Sequence, residues 1–218
     1  MSRLQTKTQK PKIQTDTWQT ATWGEYIEAI NQPAYAKARG YYHDGRMRIE
    51  MVPLGNPHSR DHYTASQAIG LFAAFKDVRL DGHDNCTYRK TGCDEAQPDL
   101  SFYIGESAAA IPWDVTIIDL DHYPAPDLVI EVAYSSLADD KGEKRLLYEA
   151  LGIREYWIID VQTMQVTAFT MENGGSRKIT QSLVLPGLDL KLLEEAFRRS
   201  RETDHSRVIA WLIQQFQA

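Results

Sequence analysis

The stretch Pro126-Asp127-Leu128-Val129-Ile130-Glu131-Val132-Ala133-Tyr134 constrains this chain more than any other. Its apolar residues are successive, not alternating. Both faces are therefore expected to be covered, as in an inner strand of a sheet with helices packed on it. Glu131 is out of place there. A carboxylate in a covered strand costs several kcal/mol unless a cation or hydrogen-bond donors receive it, so Glu131 needs a partner. An ion pair with one basic side chain is the plain account.

The rest of the chain reads as helices and strands arranged around that element. Thr22-Trp23-Gly24-Glu25 is a capping box that opens a helix. Tyr41-Tyr42, the turn His43-Asp44-Gly45 and Met47 to Met51 read as a hairpin, because Asp-Gly supplies positive φ angles. Asn56-Pro57 reads as an N-cap with proline at the first helical position, opening a helix to about residue 76. Ala65, Ile69, Leu71, Phe72 and Phe75 give its buried side. Short strands are expected at 87–90 and 97–104, the second starting at Pro98-Asp99. A connection with some β character at 115–118 follows. Ser136-Leu137-Ala138-Asp139 is a second capping box, and Leu146, Leu147, Ala150 and Leu151 mark its helix, which stops at Gly152. Strands at 153–160 and 165–171 follow. The turn Asn173-Gly174-Gly175 leads to a third near 182–185, before helices at 190–199 and 207–216.

The fold class is therefore α/β. Its core order is α-β-β-β-α-β, with a mixed sheet flanked by helices, plus an N-terminal helix and hairpin. The chain of 218 residues is long enough for one sizeable core, and no Pro-, Gly- or Ser-rich linker divides it. One domain is expected over residues 21–218. Residues 1–20 form a tail expected to be mobile, since its first sixteen residues carry almost no apolar side chain. No run is long and apolar enough for a membrane span or a signal peptide, and only Cys86 and Cys93 occur. The expectation is a cytoplasmic protein without membrane contact. A net charge of −6 argues against wholesale coating of nucleic acid but leaves room for a local basic groove.

Asp127 and Glu131 share a face of their strand, but four residues of rise set them about 13 Å apart, too far to share an ion. Asp99, near the start of the neighbouring strand, is the carboxylate able to approach Glu131. Two crowded carboxylates repel, and a divalent cation relieves that better than one ammonium. Oxygen-only ligands on strands suit Mg²⁺ or Mn²⁺. Lys144 lies on the core-bordering side of the following helix, three residues before Leu147 and four before Tyr148. A snorkelling surface lysine is the alternative.

Asp99 in Pro98-Asp99, Glu131 in the 126–132 stretch, and Gly142-Glu143-Lys144 with Tyr148 resemble a family described as putative restriction endonucleases. That family is common in cyanobacteria and is a branch of the PD-(D/E)xK nuclease superfamily. Gly152 to Asp160 is similar to its next segment, and the resemblance spans about residues 41–170. It implies a Mg²⁺-dependent endonuclease that hydrolyses DNA phosphodiester bonds. Asp99, Glu131 and the Val132 carbonyl would hold the metal, and Lys144 would be the catalytic cation. Asp127 and His58 would support the site. Two departures stand out. Ala133 occupies the usual lysine position, so the lysine must come from the helix. Tyr41-Tyr42-His43 stands where the family commonly has a glutamate. Glu50 is then either an extra ligand or a solvated strand glutamate. A homodimer would suit the two strands of duplex DNA. The alternative is an inactive nuclease-fold protein serving as a nucleic-acid-binding or assembly module.

Other signals are weaker. His58 and His62 are four apart, but Ser59 stands where a zinc protease carries its glutamate. Ser135-Ser136 reads as a strand end and cap, and Tyr41-Tyr42 and Tyr156-Trp157 as core. Arg3, Lys7, Lys10, Lys12, Arg46, Arg48, Arg89 and Lys90 are candidate phosphate contacts, although charges on edge strands also serve against aggregation.

Overall fold

Residues 13–51 and 55–217 are described in a computed structural model. Arg3, Lys7, Lys10, Lys12 and most of the expected tail lie outside them. The first elements are β1 (Gln19–Thr20), α1 (Trp23–Ile30), β2 (Arg39–His43) and β3 (Arg46–Glu50). The capping box at Thr22 is reciprocal, the Glu25 N–H donating to Oγ1 and the Thr22 N–H to the Glu25 carboxylate. Asp44 and Gly45 turn the hairpin with φ of 45° and 68°. The end of the expected tail is in fact attached. β1 pairs with β3, and the Asp16 N–H donates to the Ile49 carbonyl.

Next come α2 (Asn56–Phe75), β4 (Leu80–Asp84), β5 (Tyr88–Lys90), β6 (Asp94–Ala96), β7 (Leu100–Ile104), β8 (Ile118–Asp119) and β9 (Leu128–Ala133). Gly55, not Asn56, is the N-cap of α2, and Phe75 at its end is exposed. The chain closes with α3 (Leu137–Lys141), α4 (Glu143–Ala150), β10 (Glu155–Asp160), β11 (Gln165–Glu172), β12 (Gly175–Ile179), α5 (Leu190–Glu202) and α6 (His205–Gln217). Among the described residues no helix is long and apolar enough to cross a membrane.

Two mixed sheets result, where the sequence led us to expect one. The main sheet runs β12-β11-β10-β9-β7-β4 and is antiparallel except between β9 and β10. The second, β1-β3-β2-β6-β5-β8, is built on the N-terminal hairpin. The expected core order is found in the main sheet as α2-β4-β7-β9-α4-β10. Its first strand is β4, however, and the segment at 87–90 belongs to the second sheet. The sequence Leu-Asp-Gly-His-Asp of β4 has little intrinsic strand preference, and pairing with β7 holds it in place.

The strand alternation of β9 assigns its two faces. Leu128, Ile130 and Val132 pack with α2, α5 and α6, while Val129 and Ala133 pack with Tyr41 and with Leu147 and Tyr148 of α4. Glu131 falls on the second face, between the two sheets. The helix expected after β9 is broken at Gly142 into α3 and α4, and Ser136 does not cap it. The Ser136 hydroxyl donates instead to Asp140 Oδ2 at 2.6 Å.

The strand expected near 182–185 is a loop, because β12 takes its place directly after the turn. Glu155, fully buried at the start of β10, holds that loop. It accepts from Trp157 Nε1 and Ser182 Oγ at 2.9 Å each, from the Val184 N–H at 3.0 Å and from the Leu183 N–H. Glu155→Ala leaves these donors unmatched and should lower unfolding free energy by about 3 kcal/mol. Urea denaturation would show this as a lower midpoint at unchanged slope. A change under about 0.5 kcal/mol, the usual range for a surface substitution, would deny Glu155 this role.

Candidate active site

The register of β7 on β9 builds the site. Leu100 pairs with Ile130 and Ser101 with Val129, so Asp99, one step beyond the last pair, stands across from Glu131. Directly opposed residues have Cβ atoms about 5 Å apart. The ladder ends there because the Asp99 side chain replaces it, Oδ2 accepting from the Val132 N–H at 2.7 Å. The N–H and C=O of one strand residue point to the same edge, so the Val132 carbonyl faces the edge that β7 has left.

Three elements converge on this opening. From α4, Lys144 brings its ammonium to 3.5 Å from Glu131 Oε1, 3.1 Å from Glu50 Oε1 and 3.1 Å from Asp140 Oδ1. It also lies 4.2 Å over the Tyr41 ring. From β2, Arg39 places Nη1 2.5 Å from Asp99 Oδ1 and 3.9 Å from Glu131 Oε2, and Nη2 3.2 Å from Glu50 Oε2. From α2, His58 Nε2 lies 3.2 Å from the same Asp99 oxygen, yet neither ring nitrogen has an aligned hydrogen bond. Tyr148 donates to Glu131 Oε1 at 2.6 Å, and the Tyr41 hydroxyl lies 3.2 Å from the same oxygen while donating to the Gln97 carbonyl at 2.8 Å.

Asp99, Glu131, Lys144, Glu50 and His58 are thus brought together. Glu50 is not a solvated strand residue, because it is buried between Arg39, Lys144 and Arg48, whose Nε is 2.8 Å away. Asp127 is not part of the cluster. It lies at the opposite end of β9, pairing with Arg154 at 2.8 Å and accepting from Ser107 and the Ile104 N–H. Three of the candidate phosphate contacts are spent on acids: Arg46 on Glu143, Arg48 on Glu50 and Asp139, and Arg89 on Glu95. His62 turns away from a shared metal, to the Asp99 carbonyl and the Asp84 carboxylate. Sequence reasoning missed Arg39 and Asp140. The spacing of four between Asp140 and Lys144 is a readable signal of a helical ion pair, whereas Arg39 has no local signal.

Burial works against every charge here. It is the largest influence on Glu131 and, with Asp99 and Asp140 nearby, outweighs Lys144 and lifts the carboxyl to about 8. For Glu50 burial also raises the pKa, but Lys144, Arg39 and Arg48 overcome it and draw the group down to about 2. Asp99 is likewise drawn below the usual carboxylate range against its burial, by His58 and Arg39. The ammonium of Lys144 resists desolvation because Asp140, Glu131 and Glu50 surround it, and it stays charged. The cluster is short of positive charge, and the deficit falls on Glu131 and Asp140, both raised chiefly by burial.

Arg39, Arg48, Glu50, His58 and Val132 also line a cleft of about 590 Å³ with Tyr134, Ser135 and Ser136. That is ample for part of a nucleic-acid backbone. Asp99, Glu131 and Lys144, each about 1% exposed, do not line it but contact its lining residues Arg39 and Glu50.

A profile of the Uma2 family, described as "Putative restriction endonuclease", matches residues 23–206. The chain belongs to that family. No curated protein matches it. Among solved structures it is similar to "a putative nuclease belonging to DUF820" from Anabaena variabilis, at 17% identity and a TM-score of 0.53, over 88% of this chain and 98% of that one. At that identity the likeness speaks for the fold, which is that of this Uma2-family chain.

The acids make opposite contributions to stability. Unfolded, a glutamate loses its proton near 4.5, while folded Glu131 keeps it to about 8. Metal-free protein should therefore lose stability as pH rises through that window. Glu50 adds stability above about 4.5 that is lost as pH falls toward 2. In chelator, the urea midpoint should fall between about pH 5.5 and 8, and Glu131→Gln should make that fall shallower. A flat wild-type profile, or an unchanged slope in the variant, would contradict the charge deficit at Glu131.

Proposed function

We propose that this chain is a metal-dependent endonuclease that hydrolyses DNA phosphodiester bonds at the Asp99–Glu131 opening. One observation carries the reading. Asp99 Oδ1 and Glu131 Oε2, from adjacent strands, both face a single cationic atom, with a second cation fixed beside Glu131. Among the described residues no three acidic, His or Cys side chains form a ready metal cage. Mg²⁺ does not need one, since it takes one or two carboxylates and fills its shell with water and phosphate oxygens. The donor set fits: two carboxylates, the Val132 carbonyl on the same edge, and a deficit of positive charge. Asp99, Glu131 and Val132 are therefore the residues that would hold Mg²⁺ or Mn²⁺. Such an ion supplies a bound water of lowered pKa and neutralises charge on the scissile phosphate.

The remaining work falls to the protein. Lys144, clamped by Asp140 and Glu50, opposes the pull of burial on Glu131 and presents a fixed positive charge beside it. Tyr148 orients the Glu131 carboxyl by donating to Oε1, which leaves Oε2 on the side of the Arg39 guanidinium. The cleft, with Arg39 and Arg48 in its wall, receives the phosphodiester strand.

A second reading is a nuclease-fold protein without turnover, serving as a nucleic-acid-binding or assembly module. It is favoured by the guanidinium of Arg39 lying where the metal would sit. Incubation with supercoiled DNA separates the two. The wild type with Mg²⁺ or Mn²⁺ should nick it, and Asp99→Asn, Glu131→Gln and Lys144→Met should each reduce the rate by ~100-fold or more. No metal-dependent cleavage by folded wild type, on any DNA form, would leave the second reading standing.

A further inference from the structure

The two cations of the site are not equivalent. Lys144 is sealed in, with its side chain about 1% exposed and acids on three sides. The side chain of Arg39 is 17% exposed and lies in the cleft wall. Its fork is split, Nη1 serving Asp99 and Nη2 serving Glu50, so it makes no two-pronged pair with either acid. A guanidinium gains most from an anion that takes both prongs, and a phosphodiester offers two such oxygens. Arg39 and a divalent ion also want the same atoms, Asp99 Oδ1 and Glu131 Oε2, so they cannot hold them together.

We infer that Arg39 is a substrate-operated gate: it closes the Asp99–Glu131 site in free protein and leaves it for a DNA phosphate in the cleft. This rests on the endonuclease reading and deepens it. Arg39 does not leave without cost, since Asp99 would lose the guanidinium that lies 2.5 Å from its Oδ1. A strand in the cleft gives the guanidinium a new anion, and a divalent ion takes over the carboxylates. Metal and DNA are thereby coupled, and each must tighten the other by the same factor. Arg48 does not share the role, because Glu50 and Asp139 hold it and it is buried.

The test is a Mn²⁺ titration of the full chain by calorimetry, alone and with a short phosphorothioate duplex that resists cleavage, after subtracting Mn²⁺ bound by the duplex itself. The duplex should tighten Mn²⁺ binding by roughly 5- to 150-fold. Inorganic phosphate at equal phosphate concentration should not, and an equal effect from it would overturn the assignment to a nucleic-acid strand. Arg39→Gln should bind Mn²⁺ more tightly than wild type without DNA and gain several-fold less from the duplex than wild type does. Arg39→Lys keeps the charge but not the fork, and should stay closed and respond weakly. Should Arg39→Gln fail to fold, Arg39→Lys decides, and a duplex effect in it as large as in wild type would overturn the gate. Equal Mn²⁺ affinity with and without duplex would overturn the gate and leave the metal site intact. No saturable Mn²⁺ binding in any arm would overturn both.

Discussion

Four buried carboxylates, Asp99, Glu131, Glu50 and Asp140, share the space between the two sheets with Arg39, Lys144 and Arg48. In so poorly solvated a place each acid must have a partner, and removing one cation leaves a charge that nothing else can reach. The need for neutrality ties the molecule together. Arg39, Tyr41, Arg48 and Glu50 come from the hairpin, Asp140, Lys144 and Tyr148 from the broken helix, and Asp99 and Glu131 from the main sheet. The second sheet is thus fastened to the first by the same contacts that shape the site.

This arrangement spends stability on position. An apolar core between the sheets would serve folding as well or better, since well-packed hydrophobic residues often replace buried ion pairs without loss. Here the acids are held at one edge of β9 where its ladder ends, under a cleft that opens to solvent. Polar groups kept in that position, with the part-exposed Arg39 in the cleft wall and Lys144 sealed in, fit the proposed exchange of partners. On the proposed reading, the working state is reached when a divalent ion takes the place of the Arg39 guanidinium.

Much of this was legible in the sequence, for definite reasons. The unbroken apolar run around Glu131 announced a covered strand, and an acid in it announced a site. The inward face of Lys144 follows from helix geometry, and Asp99 stood out as the acid near the start of the neighbouring strand. What escaped was non-local. Arg39 lies sixty residues before Asp99, and no spacing rule links them. β4 carries too little strand preference to be seen without its partner. The segment at 182–185 has strand-like composition, yet the buried Glu155 draws its N–H groups into a loop. Asp127, four residues before Glu131 and on the same face, looked like a supporting acid. Its partner Arg154 follows from the parallel register with β10, which cannot be read from one strand.

Asp99 and Glu131 are proposed to form a cation site from which Arg39 can be displaced. Anomalous diffraction from crystals grown with Mn²⁺ and an uncleavable duplex addresses it most directly. The account predicts a manganese peak between Asp99, Glu131 and the Val132 carbonyl, with the Arg39 guanidinium on a backbone phosphate. Duplex in the cleft, Arg39 still on Asp99 and no manganese at Glu131 would contradict it.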